Sequence, residues 1–355
     1  MPRPGRALGL ALMLAGCEHS APFAAGDYGS HQPLTPGSPA RLTYNLGDDY
    51  APAWLPGASG IVYTLVQLDT PHFERCLGWL TATGGTLSRV VCDRAPGYLD
   101  SVTVFEEPAV AADGRLAYVA SRSALGKIAA DRSALVLGTL ADPTDVRPVR
   151  SIPYTAPNGT VHDAIMQVHW LDGHTLVYLA ERVDYPRACS SCRPDTLRTG
   201  LELVLLDVSP AVPVPQVVPS TLYATSVAPG ESGDVIYYTL IGESRVHRRT
   251  LSSGADSVVH DFGAGIARDV TVIGTRLVAV VGGSVSVAYD SVLGHPVQAD
   301  GGGPLYVVDL ASGGATVLSS ALSFRRPALS PSGGGGHLVV DVVSASLDLW
   351  MFDLP

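Results

Sequence analysis

The sequence predicts an all-β protein, a closed six-bladed β-propeller of four-stranded antiparallel blades. Glycine (38) and proline (27) are abundant among the 355 residues, which is typical of many short strands joined by turns. No window shows a convincing 3.6-residue apolar period, so long helices are not expected. One strand pattern also recurs six times along the chain, and a long internal period is typical of propellers.

The repeat unit is a turn of small residues or proline, a glycine, and then a β-branched run. Most of the units are separated by nearly 60 residues, which is enough for four short strands and their turns. The glycines that mark the units are Gly57, Gly114, Gly173, Gly233, Gly274 and Gly333. The β-branched runs after them are 61–64, 116–119, 176–179, 235–238, 277–280 and 338–341.

A third strand follows in every repeat, but the sixth repeat reaches residue 354 without a fourth. Residues 41–44 lie just before the first repeat and have the composition of a strand. We therefore expect this segment to pair with the last blade and close the ring. Closure removes the free sheet edges that otherwise promote aggregation.

Two segments resemble the proline- and alanine-containing repeat of TolB-like propellers. They are residues 49–57 (DYAPAWLPG) and 326–333 (RPALSPSG), and the ending at 348–354 resembles that family as well. The resemblance spans 40–355 and implies a six-bladed propeller of the bacterial envelope. Asp113 and Asp172 keep the aspartate that precedes the repeat glycine, and an aspartate there can hydrogen-bond the turn backbone.

The first 16 residues have the layout of a secretory signal, with basic residues followed by a short apolar run. The run ends in Leu-Ala-Gly-Cys, which resembles the bacterial lipobox and implies cleavage before Cys17 and lipid attachment to its thiol. The alternative is a secretory signal with an incidental cysteine. We expect residues 17–39 to be the lipidated cysteine and a flexible tether, followed by the propeller at 40–355. In the lipoprotein resemblance, Glu18 in place of aspartate favours the outer membrane, facing the periplasm.

Four cysteines remain in an oxidising compartment, so disulfides are expected. We predict the pairs Cys76–Cys92 and Cys189–Cys192. The first pair flanks two apparent neighbouring strands. The second has the spacing of a loop disulfide, with a metal site or a redox pair as alternatives.

The net charge is −10, and no basic cluster is present, so nucleic-acid binding is not expected. The sequence contains no nucleophile elbow, zinc-protease motif, phosphate-binding loop or EF-hand pattern. We therefore predict no catalytic residues, no metal and no cofactor.

Polar residues recur where the innermost strands are expected to begin, at one mouth of the central channel. Counting back from each repeat glycine gives one roughly equivalent mouth position in every repeat: Tyr50, Glu106, Ile165, Tyr223, Ile266 and Arg325. The candidate binding residues at this mouth are Asp49, Tyr50, Glu106, Glu107, His162, Asp163, Tyr223, Arg268, Asp269, Arg325 and Arg326. These side chains suit a peptide terminus or an ion, Glu106 with Asp163 being a candidate cation pair. The alternative is that the charges pair with each other across a wet channel.

The leading hypothesis is a monomeric, lipid-anchored propeller that binds an envelope protein or peptide. The alternatives are a lyase or hydrolase acting on sugars or peptides at the channel mouth, and a sensor of a small ligand or ion. Trp54, Trp170 and the recurring Tyr63, Tyr118, Tyr178 and Tyr237 are expected to pack between blades rather than to bind a ligand.

Overall fold

A computed structural model describes residues 39–43, 47–66, 75–82, 87–92, 101–124, 132–184, 197–282, 286–290, 295–299, 302–331, 336–343 and 347–354. These residues are almost entirely β, apart from a 3-10 turn at Pro56–Ala58. The strands are β1 (Ala40–Arg41), β2 (Asp49–Trp54), β3 (Gly60–Val66), β4 (Arg75–Thr81), β5 (Arg89–Val91), β6 (Ser101–Val110), β7 (Arg115–Ala124), β8 (Arg132–Thr139), β9 (Arg147–Ile152), β10 (Tyr154–Thr155), β11 (Val161–Trp170), β12 (Thr175–Asp184), β13 (Leu197–Asp207), β14 (Pro215–Val217), β15 (Ala224–Pro229), β16 (Val235–Leu240), β17 (Arg245–Thr250), β18 (Asp256–Asp261), β19 (Ile266–Ile273), β20 (Arg276–Gly282), β21 (Ser286–Asp290), β22 (His295–Ala299), β23 (Gly303–Asp309), β24 (Ala315–Leu329), β25 (His337–Val343) and β26 (Leu347–Asp353).

The strands pair almost entirely antiparallel and form consecutive groups, as the all-β propeller prediction requires. In the described part of the chain the groups are β2 to β5, β6 to β9, β10 to β14, β15 to β18, β19–β20–β23–β24, and β24–β25–β26–β1. The innermost strands β2, β6, β11, β15, β19 and the final part of β24 contact one another in a circuit around a central axis. The predicted all-β propeller fold is therefore confirmed.

The expected closure by the N-terminal strand is confirmed. Ala40 lies opposite Met351, because β1 adds antiparallel to β26. The Leu42 amide donates to the Leu349 carbonyl at 2.7 Å, and the Leu349 amide donates to Thr43 Oγ1 at 2.9 Å. The paired strand begins one residue earlier than predicted, and Tyr44 lies outside the described residues.

An apolar cluster fills each space between neighbouring groups of strands. The four recurring tyrosines fall in four different clusters and are at most 9% exposed, which confirms their predicted packing. Trp54 Nε1 donates to the Ala328 carbonyl at 2.9 Å, and Trp170 Nε1 donates to the Ala109 carbonyl at 3.1 Å. Both indoles thus join adjacent innermost strands, as large aromatic side chains with a polar handle often do.

The turns that leave the innermost strands follow the predicted chemistry. Asp113 Oδ1 accepts a hydrogen bond from the Arg115 amide at 3.1 Å, and Gly114 has a φ of 86°. Asp172 Oδ1 accepts from the His174 and Thr175 amides at 2.6 and 2.7 Å. A carboxylate therefore holds both turns, and the Asp113 turn also has the glycine of positive φ that tight turns often need.

The Cys76–Cys92 disulfide is confirmed, with a Cα–Cα distance of 4.7 Å. It joins β4 to the residue that follows β5, within the first group of strands. Cys17, Cys189 and Cys192 lie outside the described residues.

Two features of the topology are absent from the sequence prediction. A hairpin of β21 and β22 is inserted between β20 and β23. Strand β24 is 15 residues long and belongs to two groups, since Val317 pairs with β23 and Arg325 pairs with β25. Neither feature interrupts the repeat of glycines, so the spacing pattern does not reveal them.

Closure makes a stability prediction at Thr43, which is 3% exposed. Thr43→Val keeps the shape of the side chain but leaves the buried Leu349 amide without its acceptor, which costs about 1–3 kcal/mol of unfolding free energy. Chemical denaturation of both proteins measures the difference. Thr316→Val, on the exposed part of β24, is the matched control and should change stability by less than about 0.5 kcal/mol. Equal effects of the two substitutions would contradict the role of Thr43.

Candidate functional site

Every innermost strand contains an irregularity at a corresponding point along its length. The pairing register shifts between Tyr50 and Ala53 in β2, and similar shifts occur in β6, β11, β15, β19 and β24. At four of these bulges a non-glycine residue has positive φ: Ala51, Glu107, Gln167 and Arg326. A bulge re-aims a side chain, and here the bulges bring polar side chains together near the axis.

Four of these polar side chains form a closed ring, which we call the axial ring: Glu107, Gln167, Asp269 and Arg326. Glu107 Oε1 lies 3.1 Å from Arg326 Nη1, and Glu107 Oε2 accepts from the Gln167 amide at 2.9 Å. Gln167 Nε2 donates to Asp269 Oδ1 at 3.3 Å, and the Arg326 amide donates to Asp269 Oδ2 at 2.9 Å. Each member is therefore bound to its neighbours from other strands of the circuit.

A cavity of about 480 Å³ opens beside the axial ring, toward the ends of the innermost strands. We call it the axial cavity. The ring forms its floor, and most of its wall is apolar, including Ala53, Ala109, Ala228, Val270 and Ala328. The wall also includes Trp54, His169 and Trp170, and several prolines lie near the opening. This combination of a mostly apolar wall and a few fixed polar groups is typical of ligand sites.

A second polar group lies on the other side of the axial ring, toward the beginnings of the innermost strands. Tyr50 donates through its hydroxyl to Glu106 Oε1 at 2.5 Å, and Arg75 Nη1 lies 3.0 Å from the same oxygen. The Arg326 guanidinium covers the Tyr50 ring, 5.1 Å from its centroid. Burial raises the pKa of Tyr50 well above its usual range, so the hydroxyl remains a donor.

Asp341 is a fully buried carboxyl group beside the axial ring. It lies opposite Arg325 in the pairing of β24 and β25. Burial raises the pKa of Asp341 to about 8, although the positive charges of Arg326 and Arg325 partly oppose this effect. Burial also lowers the pKa of Arg325, and the neighbouring Arg326 charge adds to that effect.

His162 belongs to a different cluster inside the third group of strands. Its Nε2 lies 2.6 Å from Glu202 Oε1, and both side chains are buried. The Tyr154 ring packs against the imidazole with centroids 4.9 Å apart. Tyr154 and Tyr178 share a hydroxyl–hydroxyl hydrogen bond of 3.0 Å. This cluster is solvent-inaccessible and stabilises the inside of the sheet.

The structure distributes the sequence-predicted binding residues over several environments. Glu107, Asp269 and Arg326 meet in the axial ring, and Tyr50 meets Glu106 behind it. The rest stand apart from the axial cavity: Asp49 and Arg268 are buried, Asp163 and Arg325 are half-buried, His162 pairs with Glu202, and Tyr223 is exposed.

Sequence reasoning missed Gln167, His169 and Asp341. The count back from Gly173 places Ile165 at the channel, whereas Ile165 is 6% exposed and packs in an apolar cluster. The bulge residue of that strand is Gln167. A glycine count cannot locate a bulge to the residue, because turn lengths differ between repeats. The signal that could have identified Gln167 is its polar side chain, two residues after the predicted position at Ile165.

The described part of the chain contains no cluster of three or more histidine, cysteine, aspartate or glutamate side chains placed to hold a metal ion. Among the same residues, no helix has the length and apolar character needed to cross a membrane.

Comparison with known proteins identifies structural neighbours. No protein-family model matches the sequence, and no curated protein does. A gluconolactonase from Xanthomonas campestris has a TM-score of 0.55 and 14% identity, over 89% of this chain and 89% of that one. A candidate TolB from Agrobacterium tumefaciens has a TM-score of 0.50 and 13% identity, over 86% of this chain and 90% of that one.

TolB from Acinetobacter baumannii has a TM-score of 0.48 and 15% identity, over 83% of this chain. The match covers 63% of that TolB chain, which is less than two thirds of its length. At these identities the first two neighbours show a shared β-propeller fold and nothing finer, because one fold hosts many activities.

The position of Asp341 predicts a pH dependence of stability. Between about pH 4 and pH 8 the folded protein holds a proton at Asp341 that the unfolded chain releases, so the free energy of unfolding falls as the pH rises. Asp341→Asn removes this contribution. Between pH 5 and pH 7 the free energy of unfolding should fall for both proteins, and the fall should be smaller for the variant by more than about 1 kcal/mol.

Urea unfolding at several pH values measures this difference. The control is Asp309→Asn, because Asp309 is exposed and hydrogen bonds from the Ala311 and Ser312 amides lower its pKa. That variant should keep the original pH slope between pH 5 and pH 7. An unaltered slope in Asp341→Asn would show that the carboxyl is ionised throughout the range.

Proposed function

We propose that this chain is a propeller-type binding protein of the bacterial envelope, and that its axial cavity holds a peptide or a segment of a partner protein. The observation that carries the proposal is the combination of an apolar wall with a floor whose charged groups are already engaged by ion pairing or hydrogen bonds. Binding in such a cavity is favourable because it removes apolar ligand surface from water.

The size of the cavity supports this proposal. A volume of about 480 Å³ falls within the range of about 300–1,000 Å³ that is typical of ligand sites. The bulges and the axial ring hold the floor in place before any ligand arrives. A preformed site loses less conformational entropy on binding than one that must be ordered.

The geometry favours binding over the alternative of catalysis at the opposite mouth. Catalysis there would depend on Glu106 and His162. Glu106 is engaged by the Tyr50 hydroxyl and the Arg75 guanidinium, and His162 is fully buried against Glu202. A general acid or base must reach the proton that it transfers, and these contacts occupy both groups.

Envelope localisation and the lipid anchor belong to the same proposal. The signal-like segment and the Leu-Ala-Gly-Cys sequence support export followed by acylation of Cys17. A tether of about 20 residues would then let a monomeric propeller extend roughly 25 Å from an outer-membrane surface, toward periplasmic partners.

The binding proposal is tested by site-directed photo-crosslinking in cells that produce the full chain. Ala112 is exposed and lines the axial cavity, so a benzoylphenylalanine at this position should crosslink a defined segment of an envelope protein. Mass spectrometry identifies that segment. A synthetic peptide of the same sequence should then bind the purified protein, and Ala112→Trp should weaken this binding about tenfold or more by obstructing the opening.

Ala211 provides the matched control, because it is exposed on a loop that does not line the cavity. The photoreactive residue there should give no such crosslink, and Ala211→Trp should leave peptide affinity unchanged. Identical crosslinks from both positions would contradict the proposal. So would turnover of a sugar, lactone or peptide substrate that Ala112→Trp abolishes.

The lipid anchor is tested by Cys17→Ser, which removes the thiol that receives the lipid. The unaltered protein should carry acyl mass on a mature N-terminal cysteine and partition with membranes. The variant should lack that mass and leave the membrane fraction. Intact-protein mass spectrometry and membrane fractionation provide the measurements, and an unmodified Cys17 in the unaltered protein would overturn this part of the proposal.

A further inference from the structure

One polar side chain of the axial cavity has no partner among the residues that the structure describes. The floor residues are bound to one another in the axial ring. On the wall, Ser226 Oγ accepts from the Val270 amide at 3.0 Å, and Thr271 Oγ1 accepts from the Leu329 amide at 3.4 Å. Both indole N–H groups donate to carbonyls of adjacent strands.

His169 differs from these residues. It is half-buried and lines the axial cavity near the end of β11. In the part of the chain that the structure describes, its imidazole makes no hydrogen bond, ion pair or ring contact. Its ring nitrogens are open to the cavity, so a ligand that hydrogen-bonds to them would replace water at a polar point of a largely apolar wall.

The imidazole is neutral under physiological conditions. Burial lowers the pKa of His169 to about 4, because the surrounding apolar wall disfavours the charged form. A neutral imidazole has one N–H donor and one nitrogen acceptor. A backbone amide group has the complementary acceptor and donor.

We propose that His169 is the hydrogen-bonding anchor of the axial cavity, and that the ligand is an uncharged, apolar peptide segment whose backbone amide pairs with this imidazole. The inference rests on the proposed function and specifies its ligand. A charged ligand is disfavoured, because both floor carboxylates are already engaged: Glu107 pairs with the Arg326 guanidinium, and Asp269 accepts from the Gln167 side-chain amide and the Arg326 backbone amide. A charge on the ligand would be desolvated beside the apolar wall.

The test uses the full purified chain and three terminally blocked tripeptides: acetyl-Leu-Ala-Leu-amide and its analogues with Lys or Asp at the centre. The imidazole ¹⁵N resonances of His169 report whether its ring nitrogens gain a hydrogen bond. We expect the uncharged peptide to shift these resonances and to bind about tenfold or more tightly than either charged analogue.

His169→Phe keeps an aromatic ring but removes both nitrogens, and should weaken the uncharged peptide about tenfold. His174→Phe is the matched control, because His174 is exposed on the turn that follows β11 and does not line the cavity. This control variant should bind as the unaltered protein does.

The outcomes separate the two proposals. Binding that Ala112→Trp weakens but His169→Phe does not would overturn the histidine role and leave the cavity as the binding site. Preference for a charged analogue would overturn the assignment of the ligand. Absence of binding by all three peptides at millimolar concentration would overturn the inference, whereas the proposed function would still stand if the crosslinked segment bound.

Discussion

Closure of the ring is the constraint on which the rest of this structure depends. The last sheet is completed by β1, and Leu42 and Thr43 continue its hydrogen bonding to Leu349. With this edge satisfied, the innermost strands can contact one another all the way around the axis. The axial ring exists only because strands far apart in sequence are held at this common centre.

The same constraint explains the division between apolar and polar interactions. Apolar clusters occupy the spaces between neighbouring groups of strands, where whole sheet faces are buried. At the centre the strands converge edge to edge, and their bulges direct polar side chains at adjacent backbones. Glu107 accepts from the Gln167 amide and Asp269 from the Arg326 amide. Hydrogen bonds thus complete the packing where sheet faces no longer meet.

The engagement of the central charged groups bears on the proposed function. A ring in which the guanidinium engages Glu107 and amide groups engage Asp269 would offer a ligand a stable floor. In the proposed function, the axial cavity above it would select a ligand through shape, apolar contact and the imidazole of His169. Such a function would need no reacting group at the axis, and the propeller fold by itself does not decide between binding and catalysis.

The sequence by itself determined the all-β class, the repeating strands, the Asp113 and Asp172 turns, the Cys76–Cys92 disulfide and closure by the N-terminal strand. These features follow from local spacing and composition, which a one-dimensional pattern records. Tertiary structure alone decided which polar residues meet at the axis. A bulge places Gln167 at the axis, whereas counting back from Gly173 gives Ile165. The burial that raises the pKa of Asp341 and lowers the pKa of His169 comes from strands distant in sequence. Long-range burial and pairing have no local signature. The axial cavity, the hydrogen bonds of the axial ring and the His169 imidazole, which has no partner in the described part of the chain, therefore became visible only in three dimensions.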